Sequence, residues 1–116
     1  MPEQYSVEIT AFAQEQMQEA VRYIAAELQV PEAAFHLLDA LEAAAASLER
    51  LPNRIALTQE EPWRSQGVHK MPVKGFLMYF WIDEAVKRVQ ITAVIYGKRD
   101  QIPQLLNIGT NEEDFA

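Results

Sequence analysis

The spacing of apolar residues changes period twice along the chain. Tyr5, Val7 and Ile9 alternate with Ser6 and Glu8, the two-residue period of a short strand with one buried face. Thr10 offers a hydroxyl cap to the segment that follows. From there Phe12, Met17, Ala20, Val21, Ile24 and Leu28 recur every three or four residues. Gln14, Glu15, Gln18, Glu19 and Arg22 take the other face, so the spacing predicts an amphipathic helix. Gln29 and Val30 leave room only for a short link. Pro31 suits the first turn of a second helix because it lacks the N–H that would be unpaired there, and Glu32 favours the positive end of the helix dipole. Ala34, Leu37, Leu38, Leu41, Ala44, Ala45 and Leu48 form its apolar stripe, running to Leu51 before Pro52. The alanines from 43 to 46 are strong helix formers that permit close packing.

From Pro52 to Pro62 the pattern is that of a connector, with Ile55, Ala56 and Leu57 as a brief extended piece, and residues 63–67 read as an exposed loop. At Val68 the period becomes two. Phe76, Met78, Phe80 and Ile82 point one way and Leu77, Tyr79 and Trp81 the other, so this strand is apolar on both faces and belongs inside a sheet. Asp83, Glu84 and Ala85 turn the chain. Val89, Ile91, Ala93 and Ile95 are then expected on one face of the return strand, opposite Gln90, Thr92, Val94 and Tyr96. A turn this short forces antiparallel pairing. The pattern thus predicts an α+β fold: an N-terminal strand, an antiparallel two-helix hairpin, then an antiparallel three- to four-stranded sheet covered by the helices on one face.

A chain of 116 residues that is 49% hydrophobic fits a single domain, 1–116, whose aperiodic end, 109–116, is expected to be a flexible tail. No run of apolar residues is long enough for a membrane span, and the N-terminus lacks a basic and then apolar leader, so a soluble cytoplasmic protein with no membrane partner is expected. The absence of cysteine excludes disulfides, thiolate nucleophiles and Cys-type zinc sites. Two isolated histidines, His36 and His69, make no metal centre, and no cofactor is expected. The net charge of −7 is unevenly spread. Residues 1–49 carry nine acids against Arg22 alone, whereas residues 50–100 carry nine bases against five acids. Such a basic half could hold a few phosphates without being a general nucleic-acid surface.

The segments PVKGFLMYFWID and VQITAVIYGKRD, preceded by AVRYIAAEL and LEAAAASLERLP, carry a resemblance. In this order they resemble the RelE/ParE superfamily of bacterial toxins, including those described as plasmid stabilisation proteins, over roughly residues 5 to 106. The resemblance implies the growth-inhibiting toxin of a type II toxin-antitoxin pair, neutralised by a cognate antitoxin that adds helices or a strand. It also implies one of two targets. ParE-like members poison DNA gyrase; RelE-like members cut mRNA on the translating ribosome. A toxin homodimer, or a heterotetramer with antitoxin, would use the apolar helix faces equally well.

Metal-free RNA cleavage needs a base for the 2′-hydroxyl, cations for the phosphorane and an acid for the leaving oxygen. If this chain is an mRNA interferase, the family pattern assigns the catalytic roles to Arg99, His69, Lys98 and Lys70. Two departures weaken that reading: Leu77 stands where the family's central-strand arginine belongs, and no tyrosine or histidine follows Asp100. Each missing group typically supplies on the order of 100-fold. Gyrase inhibition is therefore the preferred reading, with an inactive antitoxin-binding co-repressor as a third. Arg99, Lys74, Arg64, Trp63 and Tyr96 are the candidates for contact with target or antitoxin, Trp63 as an exposed aromatic anchor. His36 reads as an ordinary helix residue, and Lys98, Arg99 and Asp100 can also be read as no more than an exposed turn.

Overall fold

The computed structural model describes residues 4–27 and 29–97. In order, the elements are strand β1 (Ser6–Ile9), helix α1 (Ala11–Arg22) prolonged by a π-helical turn (Tyr23–Glu27), and helix α2 (Pro31–Ser47). A 3-10 turn (Pro52–Arg54) and strands β2 (His69–Val73), β3 (Phe76–Asp83) and β4 (Arg88–Tyr96) follow. Leu28, the Lys98, Arg99, Asp100 cluster and the expected tail 109–116 lie outside the described residues.

Local chemistry sets the helix ends. Thr10 Oγ1 accepts from the Ala13 N–H at 3.2 Å, capping α1, and Pro31 opens α2. The second helix stops at Ser47, not at Leu51 as the apolar stripe predicts. Leu51 instead adopts φ 49° and is 66% exposed. Arg54 Nη1 donates to the carbonyls of Arg50 (2.7 Å) and Leu51 (3.1 Å), satisfying acceptors that the ended helix no longer pairs.

The strand order is β1-β4-β3-β2. β2, β3 and β4 form the expected antiparallel meander, with β3 inside it. β1 joins β4 in parallel, Ser6 opposite Arg88 and Ile9 opposite Ile91, so the whole sheet is mixed. The two helices lie between β1 and the meander in sequence and supply the long connection that a parallel neighbour requires.

The helices bury one face of the sheet. Met17 from α1, Leu37 and Leu41 from α2, and Leu48 at the end of that helix pack with Met78, Phe80, Val89 and Ile91. Phe12, placed in the buried stripe by its spacing, is 39% exposed; Ala13 faces the core in its stead, beside Met17, which is buried as its spacing predicts. A second cluster, Tyr79, Ala93 and Ile95, occupies the opposite face under Trp63, Val68 and Leu77. The segment expected to be an exposed loop therefore lies over this face, and Trp63 is half-buried rather than an exposed anchor.

One bulge governs which side chains face which cluster. Tyr79 pairs with Ala93, but the next residue, Phe80, pairs with Ile91, leaving Thr92 as an extra residue in β4. Its hydroxyl donates to the Tyr79 carbonyl at 3.4 Å. The alternation expected for β4 consequently reverses halfway. Val89 and Ile91 face the helices, as does Val94 beyond the bulge, whereas Ala93 and Ile95 belong to the other cluster.

Candidate functional site

The two segments that carry the family resemblance meet at one end of the sheet. Val73 and Phe76 close a two-residue hairpin through Lys74 and Gly75, whose φ values of 51° and 82° are the left-handed pair that matches strand twist. Gly97, just past β4, donates its N–H to the Gly75 carbonyl at 2.8 Å. A Cβ on Gly97 would lie 3.0 Å from that oxygen and 3.3 Å from Leu77 Cγ, which explains a glycine after Tyr96. Tyr96 is 42% exposed, its ring 5.3 Å from that of Phe76. Lys74, Phe76, Tyr96 and Gly97 thus form a sheet tip, and the chain leaves it toward Lys98 and Arg99, which lie outside the described residues.

His69 and Lys70 are not part of this tip. His69 pairs with Phe80 and Tyr96 with Phe76, four residues apart on β3, or roughly 13 Å along the strand. His69 stacks on the Phe80 ring with centroids 5.0 Å apart and 7° between planes, on the helix side. Its Nδ1 lies 2.7 Å from the Ile55 carbonyl, which can only accept, so Nδ1 carries a hydrogen. Lys70 pairs with Tyr79 and points to the opposite face, as consecutive strand residues must. There its Nζ lies 3.5 Å from Glu60 Oε2.

That face holds a polar knot built on Thr58 and Glu60, neither of which is among the sequence-derived candidates. The fully buried Thr58 donates its hydroxyl to Glu60 Oε1, and its N–H donates to the Val68 carbonyl at 2.8 Å. Arg64 Nη1 donates to the Thr58 carbonyl at 3.3 Å. The Thr58 hydrogen bond, with help from Lys70, holds the Glu60 carboxyl below its ordinary range despite partial burial. Tyr79 is pushed up to about 12, first by burial and then by the Glu60 charge, so its phenol stays protonated. Arg64, Lys70 and the half-buried Trp63 are therefore assembled into a support for the second cluster. Nothing in the period-two pattern marks Thr58 or Glu60, because both precede β2 and act through tertiary contacts.

A third polar group ties the turns together. Glu84 Oε2 accepts from Asn53 Nδ2 at 2.9 Å, while Oε1 accepts from the Tyr5 hydroxyl at 2.9 Å and pairs with Lys87 at 3.2 Å. These donors, Asn53 first, hold the Glu84 carboxyl below its ordinary range. Gln16 is a further residue to which the sequence reading gives no role. Its Oε1 accepts from the Val94 N–H at 2.7 Å, and its place between Ala13, Met17 and Ala20 was the available signal, since a polar residue on an apolar helix side usually serves a specific partner.

The chemical consequence is a separation of candidates. His69 and Lys70 face opposite sides of the sheet, and each is engaged, one with a carbonyl and a ring, the other with a carboxylate. Among the described residues no group of three metal-ligating side chains gathers, and no helix is long and apolar enough to cross a membrane.

Residues 7–101 match the family model described as ParE toxin of type II toxin-antitoxin system, parDE. The fold is similar to a chain of the chromosomal ParDE TA system from P. aeruginosa, with 20% identity and a TM-score of 0.65, covering 80% of this chain and 96% of that one. It is also similar to a chain of the toxin-antitoxin complex RelBE2 from Mycobacterium tuberculosis, with 19% identity and a TM-score of 0.61, covering 81% and 92%. No curated protein matches the sequence.

Proposed function

The chain belongs to the ParE toxin family of type II toxin-antitoxin systems, and we propose that it is held inactive by a cognate antitoxin and, once free, inhibits DNA gyrase. The observation that carries gyrase over the ribosome is the placement of His69 and Lys70 on opposite sheet faces. Metal-free RNA cleavage needs its base and its cations converging on one phosphate. Leu77, where RelE-like enzymes hold an arginine, packs into an apolar cluster with Tyr79 and Ile95, so that position offers the phosphate nothing. The sheet tip of Lys74, Tyr96 and the sequence-adjacent Lys98 and Arg99 is the surface assigned to the target, with Arg99 as its principal cation.

A plasmid supercoiling assay with purified gyrase tests this reading. Inhibition or a trapped cleavage complex is expected, reduced at least tenfold in Arg99→Ala. Ribosome-dependent mRNA cuts with gyrase left unaffected would overturn it in favour of an interferase.

A further inference from the structure

The segment from Val89 to Tyr96, VQITAVIY, is eight uncharged residues rich in strand formers, without proline or glycine. A segment of this kind templates pairing with another chain wherever its backbone is left open. Its first part is covered: β1 pairs with Arg88 to Ile91, and the Thr10 N–H closes that ladder on the Ile91 carbonyl at 3.0 Å. From Thr92 to Tyr96 no strand lies on that side among the described residues. Gly97 turns its N–H inward, to Gly75, so strand alternation turns the backbone groups of Tyr96 and Val94 outward. Exposed rings border this stretch. Tyr96 ends it, and Phe12 and Tyr23 fall on the same side of the first helix as Gln16.

The other edges of the sheet are blunted. On the outer side of β2 the Val68 carbonyl accepts from the Thr58 N–H at 2.8 Å, and the Lys70 N–H is given to the Ala56 carbonyl at 3.2 Å. Pro72, at the next outward position, has no N–H to give. β1 is short, at four residues. Beside Thr92 to Tyr96 two devices act together. The Thr92 bulge bends the strand, and Gln16 Oε1 takes the Val94 N–H at 2.7 Å. That acceptor comes from a helix, yet it holds the donor that a neighbouring strand's carbonyl would need.

We propose that Gln16 is a guard against self-association: by taking the Val94 N–H, its amide oxygen keeps two copies of this chain from joining their β4 edges into one continuous sheet. Two-fold pairing centred on Ile95 sets Val94 of each copy opposite Tyr96 of the other, and the outward groups of these two residues carry the ladder. With the Val94 donor claimed in each copy, half of those hydrogen bonds are lost. The guard therefore works against a second copy without a charge or a proline in the strand itself. A Gln16 that served only to satisfy the Val94 N–H within one chain would leave association unchanged when replaced, and this separates the two roles.

Sedimentation and amide hydrogen exchange on the purified chain, over a range of concentrations, test the proposal. In the parent the Val94 amide exchanges slowly and the Tyr96 amide exchanges at a rate independent of concentration. Gln16→Met keeps the length of the side chain but removes the acceptor, and in dilute solution it speeds Val94 exchange by about tenfold or more. As its concentration rises it self-associates at least about tenfold more tightly than the parent, and both amides become protected. Gln16→Ala behaves in the same way. Gln16→Glu, which restores an acceptor, returns the parent's behaviour. Tyr96→Pro added to Gln16→Met removes the other outward N–H while leaving the ladder to β3 intact, and abolishes the association. Folded Gln16→Met or Gln16→Ala that associates no more than the parent overturns the proposal, as does an unchanged Val94 exchange rate in both. So does protection of Val94 and Tyr96 that grows with concentration in the parent, since the edge is then unguarded.

Discussion

Thr58 and Glu60 show how much depends on residues without periodicity. The Thr58 hydroxyl is fully buried and donates to a carboxylate that also pairs with Lys70 and acts on the Tyr79 phenol. Thr58→Val keeps the shape but removes the donor, leaving Glu60 under-satisfied beside the apolar cluster. It should cost about 1–3 kcal/mol in chemical denaturation, and an unchanged midpoint would show the knot to be dispensable. Val94 makes a sharper comparison between pattern and structure. Simple alternation puts it on the polar face of β4, where truncation is harmless. The Thr92 bulge puts it in the helix-side core at 3% exposure. Val94→Ala should accordingly cost about 1–3 kcal/mol, whereas Gln90→Ala, on the same face by strict alternation, should fall within about 0.5 kcal/mol of the parent.

At the scale of elements, the hairpin joining β2 to β3 is specified by its turn. Gly75 sits at φ 82° with open space around its Cα, so Gly75→Ala meets no clash and its cost is purely conformational. A loss of about 1–2 kcal/mol in thermal stability is expected. Lys74 holds φ 51° without being glycine, and Lys74→Asn should be neutral or slightly stabilising, since asparagine tolerates that region better. The same turn receives Gly97, so strain introduced at Gly75 is transmitted to the place where β4 ends. Under the proposed gyrase reading, Gly75→Ala should therefore weaken inhibition in the supercoiling assay beyond what its stability loss explains, measured below its unfolding temperature.

For the whole molecule, two lowered carboxylates set the acid limb of stability. Glu60 and Glu84 both titrate below their ordinary value of 4.5 in the folded chain. A depressed folded pKa means that the stabilisation is fully present above the unfolded value and is lost as pH falls through the folded one. The melting temperature should therefore fall as the pH drops below about 4.5, and the fall should be shallower in Glu60→Gln and in Glu84→Gln. An identical acid limb in both variants would contradict these hydrogen bonds. The sequence by itself determined the element order, the cap at Thr10, the start of α2 at Pro31 and the interior position of β3. Each of these depends on local backbone chemistry or on a period that a single segment displays. It also determined the family, through two glycine-bearing segments. Only the tertiary structure decided that β1 runs parallel beside β4, that the Thr92 bulge exchanges the faces of Ala93 and Val94, and that His69 packs on the helix side of the sheet while Lys70 pairs with Glu60 on the other. Those outcomes depend on register and on contacts between residues far apart in the chain, such as Gln16 with Val94 and Tyr5 with Glu84, which no local pattern encodes.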